Sequence, residues 1–192
     1  MIDKIQNEFY SGIRRILEQA RAKAYVAVNF AMVEAYWEIG KQITEEIGDR
    51  AEYGKLLLQE LSKRLTEDYG KGFDVRNLRN MRQFYNAFQI RNAVRSELSW
   101  THYRLISKIE NERARQFYLE ECVKANWSTR QLERQIYTSV YERMLMSKDK
   151  EGVIADTADK EPTKRPEDII KDPYVLEFLG LEHAQPSAHR PC

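Results

Sequence analysis

No proline occurs before Pro162 in this chain of 192 residues. Proline inside a helix removes a backbone donor and clashes with the preceding turn. Its absence over most of the chain therefore leaves long helices unopposed. Apolar residues then recur at helical spacing. Ile2, Ile5, Phe9, Ile13, Ile16, Ala20, Ala24, Ala27 and Ala31 are three or four apart, and Ile39, Ile43 and Ile47 continue the period. This predicts one long helix over about residues 3–47, stopped by Gly48. Its middle is rich in alanine (Ala20, Ala22, Ala24, Ala27, Ala31, Ala35), which predicts close packing of another helix there.

The next helix is expected over about residues 53–69, on a stripe of Leu57, Leu61 and Leu65, and it ends at Gly70-Lys71-Gly72. Asp74 then has the chemistry of an N-cap, because its carboxylate can accept from the free amides of a first turn. Phe73 and Leu78 stand at staple positions around it. The inward face of this third helix is expected at Val75, Leu78, Met81, Tyr85 and Phe88. Ser99 reads as a further N-cap, before about ten helical residues, with Leu98 and Tyr103 as the staple pair. Another helix is expected over residues 111–125. Ser128 and Gln131 form a capping box, with Trp127 and Leu132 as its staple. The final helix is expected to run to about Ser147, with Leu132, Ile136, Val140 and Met144 at strict four-residue spacing. That seam offers either core packing or a homodimer contact.

The fold class that follows is all-α: a multi-helix domain over residues 1–147, with a long first helix, a long last helix and a helix-turn-helix or winged-helix-like core. Residues 148–168 are polar and aperiodic, so they read as a flexible linker. Residues 169–181 are briefly apolar, and residues 182–192 have no pattern.

The charge distribution points to a partner. The formal net charge is +1, with 31 basic and 30 acidic residues, and the signs are closely mixed almost everywhere. Residues 71–95, KGFDVRNLRNMRQFYNAFQIRNAVR, depart from this, with five arginines and the single acid Asp74. From Val75 to Arg95 there is no Asp or Glu, and the intervening polar residues are amides. Helix, glycine-containing turn and basic helix follow in the order of a helix-turn-helix, whose second helix offers its first turns to base edges. Those turns carry Arg76, Asn77, Arg79, Asn80 and Gln83. Arginine pairs with guanine and the amides with adenine, while Arg82, Arg91 and Arg95 suit phosphates. The competing reading is a solvated helix whose arginines pair with Glu45, Glu46, Glu60 or Glu67. Trp100, His102 and Tyr103 suit base stacking, but at a helix start they are better read as packing a junction.

Catalytic chemistry finds little support. There is no glycine-rich phosphate loop and no Ser/His/Asp set. The adjacent acids Glu45-Glu46, Glu67-Asp68 and Glu120-Glu121 read as solvated helix faces. Two cysteines, Cys122 and Cys192, give neither a disulfide framework nor a metal cluster, which favours a reducing cytoplasm. His102 has no companion at ligand spacing, so no metal is expected. No apolar run reaches the roughly 20 residues of a membrane span.

Several blocks together resemble a known family. They are MVEAYWEIGKQI (32–43), RAEYGKLLLQELSKRL (50–65), GFDVRNLRNMRQFYNAF (72–88), LSWTHYRLI (98–106) and NWSTRQLERQIYTSVYERM (126–144). They resemble, in order over about residues 10–147, the N-terminal domain of the YhcG-like family of bacterial PDDEXK nuclease domain-containing proteins. DPYVLEFLGL (172–181) resembles the segment where that family passes into its nuclease-like domain. The resemblance implies a DNA-binding or targeting domain that serves a PD-(D/E)XK nuclease. Mg²⁺ would belong to that catalytic domain. None of the family's nuclease motif is matched, so no catalytic residue carries over. The alternative is a protein-interaction or oligomerisation module that assembles the chain or recruits a partner.

Overall fold

The computed structural model describes residues 2–89 and 94–155. The expected linker beyond residue 155, the apolar segment 169–181, the tail 182–192 and Arg91 lie outside the described residues. The described residues are all-α, as the periodicity predicts, and contain no strand. The wing of a winged helix is therefore not among them.

The first helix, α1, runs from Ile2 to Ile47, 46 residues or about 69 Å. Gly48 stops it in the left-handed region at φ +50°. The next helix, α2, spans Ala51–Tyr69 and closes on Gly70 at φ +94°. A short 3-10 turn, Lys71–Phe73, leads into α3, Val75–Ala87. The Asp74 cap is in place, its carboxylate accepting from the Asn77 amide at 2.7 Å. After α3 come α4 (Trp100–Ile106), α5 (Glu112–Lys124), α6 (Thr129–Tyr137), α7 (Val140–Met146) and α8 (Lys150–Ala155). The Ser128–Gln131 box opens α6 with both halves formed, at 3.2 Å and 2.7 Å.

The core lies along the C-terminal half of α1. Met32, Val33, Tyr36, Trp37, Ile43 and Ile47 are buried against Leu78, Met81 and Phe84 of α3 and Phe88 at its end. Gly40 makes this packing close, since a Cβ there would overlap the Met81 carbonyl oxygen. An aromatic cluster then ties α4 in. Trp100 meets Tyr36 at 4.9 Å and Phe84 at 5.6 Å between ring centroids, and Tyr103 meets Phe84 at 4.8 Å. Such pairs add about 0.5–1.5 kcal/mol each beyond the area they bury.

Four expectations need correction. The alanine stripe of α1 does not receive a helix: Ala20, Ala24, Ala27 and Ala31 are exposed, and the core takes the opposite face. Phe84 is fully buried because its ring packs on Trp100 and Tyr103 of α4, while Tyr85, edge-on to Trp37 of α1 at 5.0 Å, is only half-buried. The last helix is two helices. It breaks at Ser139, which adopts left-handed φ and ψ of 52° and 48°. Finally, the start of the expected linker, Lys150–Ala155, is helical.

Candidate nucleic-acid interface

Helical geometry divides α3 cleanly. At about 100° per residue, Arg76, Arg79, Gln83 and Asn86 share one line, and all four are exposed. Asn80 and Arg82 stand on the two shoulders of that line, half-buried. Leu78, Met81 and Phe84 take the far side and fix the helix on α1, so the line must face outward. Asn86 belongs to it although the sequence reading did not choose it. Its signal was the spacing of three from Gln83.

Asn77 does not belong there. It is 4% exposed, and its amide is committed inside. Its Nδ2 donates to the Gly72 carbonyl at 2.6 Å, and its Oδ1 accepts from the Trp100 indole at 3.1 Å. One side chain thus locks the turn before α3 to the start of α4. It serves as a strut for the surface rather than part of it.

Three of the four acids proposed to neutralise the helix are engaged elsewhere. Glu45 pairs with Lys41 (3.9 Å), Glu46 with Arg50 (3.7 Å) and Glu60 with Arg64 (2.7 Å), each within its own stretch of helix or turn. Glu46 also accepts from the Tyr53 hydroxyl at 2.7 Å, which raises the pKa of that phenol. Among the described residues Arg76 and Arg79 form no ion pair. On Arg82 the Nε is shielded from water and finds no acceptor. An unsatisfied buried donor costs about 1–3 kcal/mol, so the Arg82 stem is held on this shoulder at a cost in stability.

Arg95 is held by a different device. Its side chain is exposed. Its backbone is held at both groups by Tyr103, whose hydroxyl accepts from the Arg95 amide and donates to the Arg95 carbonyl at 3.2 Å. Burial raises the Tyr103 phenol pKa well above its usual value, so the clamp stays protonated.

The aromatic cluster is not a stacking platform. Trp100 and Tyr103 are fully buried. His102 has its Nδ1 accepting from the Ser99 amide at 3.2 Å and its Nε2 on the Trp127 carbonyl at 3.0 Å. One nitrogen must accept and the other donate, which assigns the neutral Nε2–H tautomer. The seam offered for dimerisation is also spent: Leu132 and Val140 are fully buried, and Ile136 and Met144 pack half-buried on the same core. Cys122 is buried, and desolvation pushes its thiol up to about 12, so it is no nucleophile. Among the described residues no three His, Cys, Asp or Glu side chains gather as a metal site. No described helix is long and apolar enough to cross a membrane.

An all-α domain with a basic, outward-facing helix held by aromatic packing defines the class. Residues 12–143 match the family described as DUF1016 N-terminal domain. The chain belongs to that family, and the match spans all of the core and α3. It is also similar to the Escherichia coli (strain K12) protein "Putative nuclease YhcG", at 37% identity over 211 aligned residues. That alignment covers 91% of this chain and 56% of the relative, so the chain spans little more than half of its relative's length. No solved structure matches.

Proposed function

We propose that this domain binds nucleic acid, duplex DNA above all, through the outward line of α3, and that it targets a PD-(D/E)XK nuclease activity. One observation carries the reading: Arg76 and Arg79 stand exposed and without an ion pair on a helix whose outward face holds no acid. Arginines left unpaired in a protein of balanced charge present a local field to phosphate. Arg82 and Arg95 extend the contact, with Arg91 joining from outside the described residues. Asn80 and Gln83 are the groups placed to read base edges. In this reading α2, the Lys71–Phe73 turn and α3 act as a helix-turn-helix, with α1 as the floor beneath the recognition helix. The nuclease part of the proposal leans on the name of the E. coli relative, and this chain supplies the targeting step.

Competition decides among the partners. A labelled duplex bound by the full chain should be displaced by unlabelled duplex at lower concentration than by single-stranded DNA, single-stranded RNA or a polyglutamate chain. With Arg76, Arg79, Arg82, Arg91 and Arg95 on phosphates, log K should fall against log salt with a slope of roughly −4 to −5. Displacement by polyglutamate as readily as by duplex would move the reading to an acidic protein partner.

A further inference from the structure

The first helix carries two apolar faces on opposite sides. Met32, Val33, Tyr36, Trp37, Gly40, Ile43 and Ile47 face the core. Phe9, Ile13, Ile16, Ala20, Ala24, Ala27 and Ala31 lie about 180° away at 100° per residue, and every one is exposed. Phe9 is 70% exposed, Ile16 63% and the adjacent Leu17 57%. Between Phe9 and Ala31 the centre of this line bears no charge, with Lys23 at its margin. With Tyr10 on its shoulder and the exposed alanines, this face offers on the order of 600 Å² per chain, which approaches the ~800 Å² that each partner of a standard interface buries. Soluble monomers rarely leave so large an apolar surface unpartnered.

The order of sizes along the line names the occupant. The spacings from Phe9 to Ala31 run four, three, four, four, three, four, which is symmetric about Ala20. The large residues lie on one side of Ala20 and the alanines on the other. We propose that this face docks a second copy of the chain, the two α1 helices packing antiparallel about a twofold axis at Ala20. Phe9 then lies against the partner's Ala31, Ile13 against the partner's Ala27 and Ile16 against the partner's Ala24, and each contact recurs by symmetry. Every bulky side chain meets a small one, so the helix separation stays even along the pair. Parallel pairing would set Phe9 on Phe9 and alanine on alanine, forcing the helices apart at one end and leaving a gap at the other. Antiparallel pairing also opposes the helix dipoles favourably. The core-facing side of each α1 points away from the pair, so the two domains sit on its outer sides towards opposite ends. The α3 surface stays uncovered, and the proposal stands or falls independently of nucleic-acid binding.

The test uses the full chain in analytical ultracentrifugation, with disulfide trapping in a Cys192→Ser background. The chain should sediment as a dimer at micromolar concentration. Ala20→Glu places two like charges face to face at the axis and should weaken the dimer about a hundredfold or more. Because Ala20 is exposed in the monomer, helical content should hold, and Tm should match the parent chain's at concentrations low enough for both to be monomers. Phe9→Cys and Ala31→Cys chains, mixed, should form the mixed disulfide. A monomer at all concentrations, a dimer indifferent to Ala20→Glu, or Phe9→Cys chains that cross-link to themselves instead would each overturn the proposal.

Discussion

The Tyr118 hydroxyl sits between two helices that would be one if the chain simply followed its apolar period. It accepts from the Tyr141 amide at 3.2 Å and donates to the Gln135 carbonyl at 3.3 Å. Those are groups that the break at Ser139 deprives of helical partners. Thr138 assists by turning its hydroxyl back onto the Arg134 carbonyl at 3.0 Å, the local bonding by which such side chains compete with a helix. Tyr118→Phe should therefore lower stability by about 1–3 kcal/mol, since the Tyr141 amide loses its partner and the Gln135 carbonyl keeps only the Thr138 hydroxyl at 3.4 Å. Thermal unfolding followed by circular dichroism would read this as a fall of several degrees. Asn77 invites a sharper comparison. Asn77→Ala leaves the Gly72 carbonyl and the Trp100 indole unpaired, so its cost should appear in Tm. Arg76→Ala should leave Tm alone and weaken DNA binding. If Asn77→Ala folded as stably as the parent chain, the strut assigned to it would be wrong.

At the scale of elements, the packing of α1 on α3 depends on Gly40. Alanine is the better helix former by about 1 kcal/mol. Yet its Cβ would overlap the Met81 carbonyl oxygen and lie 2.7 Å from the carbonyl carbon, and backbone cannot step aside as a side chain can. Overpacking of this kind costs about 1–3 kcal/mol, so Gly40→Ala should destabilise on balance, measured as a lower urea midpoint. The helices themselves were legible in the sequence wherever a cap announced them. Asp74, Ser99 and Ser128, the caps read from the sequence, all stand at helix starts, because capping is a local bond between neighbours in the chain, and Asn111 proves to be a further cap. The break at Ser139 was not legible, since it is stabilised by Tyr118, more than a full helix earlier. The same limit hid the strut: Asn77 looks like any amide on a basic helix until Gly72 and Trp100 close around it. Periodicity showed that α1 has apolar lines but not which one the core would take. The exposed alanines follow from the large residues Met32, Tyr36 and Trp37 winning that competition by buried area.

The whole molecule should be tolerant of neutral pH and sensitive to alkali. Cys122, Tyr103 and Tyr118 all have pKa values raised by burial. A raised native pKa means that the unfolded chain releases its proton first. Stability is therefore full below the ordinary values of 9.0 and 10.0 and declines as pH rises through that range towards the native ones. A Tm flat across pH 7–9 and falling above about pH 9 is the expected profile. The net charge of only +1 conceals the exposed line of arginines to which the proposed function assigns DNA binding. Fluorescence anisotropy with a labelled duplex, at about 50 and 200 mM salt, tests it most directly. The parent chain should bind and weaken with salt. Arg76→Glu combined with Arg79→Glu should bind about a hundredfold more weakly, flatten the salt slope by about 2 and keep the same Tm. Equal affinity in parent and variant, or no binding of the parent chain at the lower salt, would contradict the account.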